Sequence, residues 1–174
     1  RPELKLIDSH AFQRLRNIKQ LGFAELAFPG ATHTRYAHSL GAMHMATQIF
    51  TAIRRELDLP EAEEARIRQT LRLAVLFHDL GHPALSHVSE SIMPQLSELN
   101  LGAWAKNDSR QANHEDYTLK IILHSHLYDL ICEHVGDLGV KPEHIAMLIS
   151  GDESVEPGVF TVNNTNLFLL LHRI

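Results

Sequence analysis

Residues 76–87, LFHDLGHPALSH, set His78, Asp79, His82 and His87 among leucines, a phenylalanine and a proline, in a stretch that otherwise favours burial. An imidazole on a buried face has to be hydrogen-bonded, metal-bound or catalytic, because a polar group taken from water without a partner is costly. The chain holds 13 histidines, so the useful question is which of them face inward. The apolar stripe Ile67, Leu71, Ala74, Val75 continues, three and four residues on, into His78 and Asp79. A second stripe, Ala42, Met45, Ile49, Ala52, Ile53, continues backward to His38, leaving His44 with Thr47, Gln48 and Thr51 on the wetter side. Tyr117, Ile121 and Tyr128 define a third inward face with His114 at its leading end. Spacing thus separates His38, His78, Asp79 and His114 from His44, His124 and His134. One buried His-Asp pair can be purely structural, the carboxylate satisfying the ring N–H. Three helices each sending a histidine inward are better explained by a shared divalent ion. Two imidazoles and a carboxylate leave coordination positions open, which suits Mn, Fe, Ni, Co or Zn better than Ca, with Mg arriving on the substrate. Such an ion lowers the pKa of a bound water and orients a phosphate oxygen.

Helices must carry these residues. Apolar spacing is mostly helical and few segments alternate, so the fold class read from the chain is all-α. Phe12, Leu15 and Ile18 recur at helical spacing, with Gly22 placed to stop that helix, and residues 28–34 form a loop turning at Pro29-Gly30. A helix is expected from Arg35 to Glu56, and another from after Pro60 to Asp79 or Leu80, ended by Gly81 and Pro83. Ser86 to Leu99 reads as a helix, residues 102–113 as a polar loop, and His114 to Cys132 as a helix capped by Asn113 with Asp116. Pro142 opens the next helix, and residues 151–164 form a loop with a short extended piece.

At 174 residues and 44% hydrophobic, the chain suits a single domain spanning 1–174. Sixteen basic against 21 acidic residues give a net charge of −5, the wrong sign for a broad nucleic-acid footprint. The single cysteine, Cys132, allows no internal disulfide and no thiolate zinc cluster; with no membrane-length apolar run and no signal-like start, the expected location is cytoplasmic. The start at Arg1 and the stop at Ile174 inside LFLLLHRI lead us to expect a domain truncated at its C-terminus.

Four motifs occur in order, IDSHAFQRLRNIKQLGF at 7–23, FPGATHTRYAHSLGAMH at 28–44, FHDLGHPALSH at 77–87 and NHEDYTLKII at 113–122. Together they resemble the HD-domain metal-dependent phosphohydrolases, most closely their deoxynucleoside triphosphate triphosphohydrolase-like branch. The resemblance implies an HD-domain helical bundle around a metal site held by His38, His78 and Asp79. It implies a fourth, aspartate ligand beyond Ile174, since Asp129, Asp137 and Asp152 lack the family context. It places the catalytic histidines His82, His87 and His114 on the substrate phosphates, with Glu115 available to orient His114. For substrate binding, Arg35 is the expected phosphate clamp and Gln20 and Leu21 the expected contacts to the nucleotide sugar. Arg14, Arg16 and Lys19 add positive potential or form a solvated helix face.

The implied reaction is metal-dependent hydrolysis of a deoxynucleoside triphosphate to deoxynucleoside and triphosphate, by a homo-oligomer with no membrane partner. Phosphomonoesterase or phosphodiesterase action on a smaller or cyclic nucleotide stays open, as does a non-catalytic nucleotide-binding module. The ppGpp-type hydrolases share the doublet but fit the GATHTRYAHSLG context less well.

Overall fold

Seventeen residues with three glutamates in the first turn form the central helix of the fold, and almost every turn of it is buried. The computed structural model describes residues 2–106 and 109–174; Arg1, and residues 107 and 108 of the expected polar loop, lie outside the described residues. In chain order the helices are α1 (Pro2–Ile7), α2 (His10–Gln13), α3 (Arg35–Ile53), α4 (Glu61–Phe77), α5 (His114–His124), α6 (His126–Val135), α7 (Pro142–Ser150) and α8 (Phe168–His172). Tighter 3₁₀ turns fill much of the remainder, and a two-residue antiparallel pair, β1 (Thr161–Val162) with β2 (Thr165–Asn166), is the short extended piece. The all-α fold class is therefore as the apolar spacing indicates.

Helix α4 packs on α3 along one side and on α7 along another, while α5 packs on α7 and α6, and α6 on α1. The main core gathers Ile67, Leu71, Leu73, Leu76 and Phe77 of α4 with Phe12, Leu15, Phe50, Ile131 and Phe160. A smaller cluster of Leu96, Leu99, Leu101 and Ala112 against Leu119 and Ala146 anchors the segment before α5. Among the described residues, no helix is long and apolar enough to cross a membrane.

Several boundaries depart from the spacing argument. Phe12, Leu15 and Ile18 are buried, but helical structure ends at Asn17, well before Gly22. Ile18 turns extended, so that its carbonyl takes the Arg35 N–H and Lys19 bridges to Thr34. The buried stripe of α3 is Arg35, Ser39, Ala46 and Phe50, whereas Met45 and Ile49 are 57% and 41% exposed. Ser86 to Leu99 is not one helix but two 3₁₀ segments, Ser86–Ile92 and Leu96–Leu99. Pro94 lies between them, where a helix interior would lose a backbone hydrogen bond. The expected 114–132 helix breaks at Ser125, whose hydroxyl caps α6 by accepting from the Leu127 N–H at 3.1 Å.

Candidate functional site

The C-terminal end of α4 delivers the doublet. Just past Phe77 the chain turns, and the His78 Nδ1 pairs with the Val75 carbonyl at 2.7 Å. That bond places the proton on Nδ1 and leaves the Nε2 lone pair facing Asp79 Oδ1 at 3.3 Å. His38, one turn into α3, brings its Nε2 to 3.9 Å from Asp79 Oδ2. The ligand atoms of His38, His78 and Asp79 lie within 4.8 Å of one another. This set fits a divalent transition metal, since it offers two imidazole nitrogens and one carboxylate with the tautomer of one ring already fixed. Burial and the neighbouring His78 hold the His38 ring below its usual pKa, although Asp79 opposes this, so the lone pair is available near neutral pH.

Asp79 is the most connected group here. Burial alone would raise its pKa, but the His82 hydrogen bond and the charges of His78 and Arg35 outweigh it, and the carboxyl is held well below the ordinary carboxylate range. Arg35, only 2% exposed, donates from Nη1 to Asp79 Oδ2 at 2.8 Å, from Nε to Ser86 Oγ at 3.2 Å and from Nη2 to the Gln20 carbonyl at 3.3 Å. The expected phosphate clamp thus directs its guanidinium onto protein atoms. Ser86 has φ +52°, a left-handed conformation unusual for serine, and its hydroxyl donates to the Lys19 carbonyl at 2.9 Å. Gln20 and Leu21 stand beyond this arginine: the Gln20 carbonyl joins the network, and the Leu21 side chain is exposed.

A second group adjoins the first. His82 is buried, its Nε2 lies 3.4 Å from Asp79 Oδ1, and its Nδ1 has no hydrogen-bond partner. Burial lowers its pKa, with Asp79 acting against the shift. Its ring stacks on that of His114 at 3.8 Å between centroids, and His87 stands 5.2 Å from His114, nearly perpendicular. Glu90 joins them: one carboxylate oxygen pairs with His114 Nδ1 and lies 3.3 Å from His87 Nδ1. Burial opposes ionisation of Glu90, but the two histidines hold its pKa below the ordinary value. Glu90, rather than Glu115, therefore orients His114. His87 is exposed.

Gly81 makes this juxtaposition possible. Its N–H donates to Thr118 Oγ1 at 2.8 Å, and Thr118 Oγ1 also lies 3.1 Å from the His78 carbonyl and 3.0 Å from the His114 carbonyl. A Cβ at Gly81 would fall 1.9 Å from the His114 carbonyl oxygen, so no other residue type fits without backbone movement. Arg14 donates to the Leu80 and His82 carbonyls, bracing the same turn, and burial lowers its pKa. Arg16 lies 3.8 Å over the Tyr36 ring, and Lys19 pairs with Glu25 at 3.0 Å. At the start of α5, Asn113 and Asp116 form the expected reciprocal cap, and Arg110 grips Asp116 through two bonds of 2.7 Å.

A cleft of about 400 Å³ opens over His38 and His78. His38, His78 and His114 stand on its polar side and Leu71, Val75, Ile149 and Leu171 on its apolar side. His172 also lines it, its Nδ1 2.9 Å from the Leu148 carbonyl. Neither Glu90 nor His172 was singled out by spacing. The 86–92 segment offers no periodic signal for Glu90, while the final apolar run does place a histidine beside the core.

Comparison with known proteins adds the family. Residues 35–148 match the model of the HD domain. Over 122 residues the chain is 36% identical to the deoxynucleoside triphosphate triphosphohydrolase SAMHD1 homologue of Dictyostelium discoideum, covering 68% of this chain and 21% of that protein. Over 88 residues it is 46% identical to an uncharacterised protein of Methanocaldococcus jannaschii, covering 51% of this chain and 17% of that protein. The mouse deoxynucleoside triphosphate triphosphohydrolase SAMHD1 matches at 41% identity over 85 residues, 49% of this chain and 13% of that protein. The match thus spans about a fifth of the length of the first relatives.

Proposed function

The chain belongs to the HD-domain family, and on that premise we propose that it is a metal-dependent phosphohydrolase acting on deoxynucleoside triphosphates to release deoxynucleoside and triphosphate. The observation that carries the proposal is the joining of two groups through one carboxylate: Asp79 meets His38 through Oδ2, and its Oδ1 lies between His78 and His82, 3.3 and 3.4 Å away. A metal-ligand set and a histidine cluster, next to a cleft of small-molecule size, are what hydrolysis of a phosphate ester requires.

His38, His78 and Asp79 would hold the ion. A divalent transition metal bound there supplies Lewis-acid chemistry, lowering the pKa of a water and drawing charge from a phosphate oxygen. The chain balances charge around it in an informative way. Arg35 offsets the single negative charge of Asp79, so an added dication stays uncompensated until phosphate oxygens arrive. Arg35 acts here by holding Asp79, and Gln20 and Leu21 sit on the segment its guanidinium tethers. The cleft's apolar side accepts base and sugar, and its histidine side the phosphates.

In the reaction, the water oxygen bonds to the α-phosphorus, the bond from phosphorus to the sugar oxygen breaks, and that oxygen takes a proton. His87, exposed and paired with Glu90, would donate it, and the proton that the attacking water loses would pass to His114 and restore His87 through the glutamate they share. His82, buried and shifted toward the neutral form, holds Asp79 on the side of the histidine cluster and stacks on His114, positioning that ring.

Incubation of the metal-loaded whole protein with each deoxynucleoside triphosphate, followed by separation of products, tests this. Deoxynucleoside with triphosphate is expected. Orthophosphate would make it a phosphomonoesterase and an opened cyclic nucleotide a phosphodiesterase. Binding without turnover in a protein that holds its metal would make it a nucleotide-binding module and sink the enzymatic reading.

A further inference from the structure

Two clusters of three or more metal-binding side chains come together among the described residues, and the larger is not the one assigned to the catalytic ion. It is His82, His87, Glu90 and His114, with one ligand atom of each within 4.8 Å of the others, and it shares no residue with His38, His78 and Asp79. The chain brings the four in from separate places: the turn after α4, the 3₁₀ segment 86–92 and the first residue of α5. Glu90 is the centre. Its Oε1 meets Nδ1 of His114 and stands 3.3 Å from Nδ1 of His87. The two rings are nearly perpendicular, at 81°, so both aim Nδ1 at one oxygen from different directions. Behind them His82, only 1% exposed, has an Nδ1 without a hydrogen-bond partner, and a buried nitrogen left unpaired calls for a ligand.

The donor types select the ion. Three imidazoles and one carboxylate make a nitrogen-rich set that suits zinc, whereas magnesium and calcium take oxygen ligands. Tetrahedral zinc holds such ligands about 3.4 Å apart. The spread of up to 4.8 Å therefore has to close, and the 65% exposed His87 side chain has the freedom to close it. His82 stacks on His114 at 3.8 Å, so it backs the tripod of His87, Glu90 and His114 and shares the fourth position with water. We propose that these residues form a second divalent-cation site, selective for zinc over magnesium.

Filling this site stops the reaction, a consequence that rests on the phosphohydrolase reading above. A ring that gives its Nδ1 lone pair to a metal keeps its proton on Nε2 and cannot pass it from one nitrogen to the other. The acid His87 and its relay His114 are both held in this way, while the ion at His38, His78 and Asp79 is left in place. Zinc must replace the bonds that Glu90 makes to the two rings, on a segment of whose residues only Ser86 is buried. The second site therefore fills after the first.

Equilibrium dialysis of the whole protein against rising zinc tests the site. Two equivalents per chain are expected, and Glu90→Gln or His87→Gln, each on the exposed turn and outside the core, raises the dissociation constant of the weaker one by at least about tenfold. His126→Gln, which alters the exposed pair of His126 with Asp129, leaves that constant unchanged. Magnesium in place of zinc is not retained at the weaker site. The absence of any equivalent sensitive to Glu90→Gln and His87→Gln, loss of the weaker one in His126→Gln, or equal retention of magnesium overturns the proposal. On the same samples kcat should fall as the weaker equivalent binds and return when a chelator too weak to strip the first site is added; full turnover with both sites filled refutes the inhibition. A protein that hydrolyses no deoxynucleoside triphosphate loses the functional reading, and the dialysis still decides the site.

Discussion

Replacing Gly81 by alanine puts the architecture of the histidine cluster to a direct test. The added methyl would lie 1.9 Å from the His114 carbonyl oxygen, 2.4 Å from the Thr118 nitrogen and 2.8 Å from the Tyr117 Cβ. Two of these neighbours are backbone of α5 and cannot rotate away. Ordinary contact is about 3.5 Å, so the helix start and the 78–82 turn must part by roughly 1.5 Å. Overpacking of this kind costs about 1–3 kcal/mol, with the upper end expected where backbone has to move. For a domain of this size each kcal/mol lowers Tm by about 2–4 °C, giving a fall of roughly 5–10 °C. The catalytic consequence is larger than the thermal one. The His82 and His114 rings are 3.8 Å apart, and a displacement of about 1 Å costs on the order of a hundredfold in turnover. None of the three proposed ligands, His38, His78 and Asp79, lies on α5, so metal bound by them is expected to stay near the wild-type stoichiometry. Calorimetry, elemental analysis and steady-state kinetics on the same preparation read all three. A Gly81→Ala protein with wild-type Tm and wild-type kcat would refute the close approach and the cluster built on it.

Asp79→Asn is expected to abolish stoichiometric metal binding by elemental analysis and to lower stability by about 3–5 kcal/mol, since it strands the buried Arg35 charge; retention of full metal content counts against the ligand assignment. Glu90→Gln should reduce kcat by about ten- to a hundredfold with little change in KM, because it loosens His114 and His87 without touching the cleft, and an unchanged kcat would remove Glu90 from the site. His144 is buried on α7, and burial depresses its pKa despite Glu156 Oε2 at 3.4 Å. The folded state therefore prefers the neutral ring, and this contribution is present above the unfolded pKa of about 6.5 and lost as pH falls below it. Urea denaturation at pH 7.5 and 5.5 should show His144→Gln losing less stability than wild type between the two; equal losses would show that His144 does not couple folding to protons.

Much of the site is legible in the chain because helical periodicity is a strong signal over long elements. Helix α4 has a continuous apolar stripe; it ends at Phe77, and of the two residues the stripe extrapolates to, Asp79 is buried while His78 is 36% exposed and lines the cleft. On α3 the same method turned His38 inward, whereas its side chain is 37% exposed and lines the cleft, and it assigned the wrong core stripe. The true stripe begins with Arg35 and Ser39, polar residues that no hydropathy argument puts inside, while Met45 and Ile49 mimic a core edge. The 86–92 segment was misread for a related reason: short 3₁₀ turns have no repeating face, so its only strong cue was the absence of a breaker before Pro94. Glu90 reaches His114 across 24 positions, a pairing that only tertiary contact creates. Arg35 has the right chemistry for a phosphate, and the buried carboxylate beside it draws the guanidinium first.

Thr118 carries one hydroxyl proton, and its oxygen stands within bonding distance of two carbonyls, those of His78 and His114, while accepting from the Gly81 N–H. The proton can serve one carbonyl at a time, so the end of one helix and the start of another share a single donor. Mutations at residues 78, 81, 114 and 118 are for that reason not independent of one another: their effects should combine with coupling terms rather than add, and a change tolerated at one of them sets which changes the other three can accept.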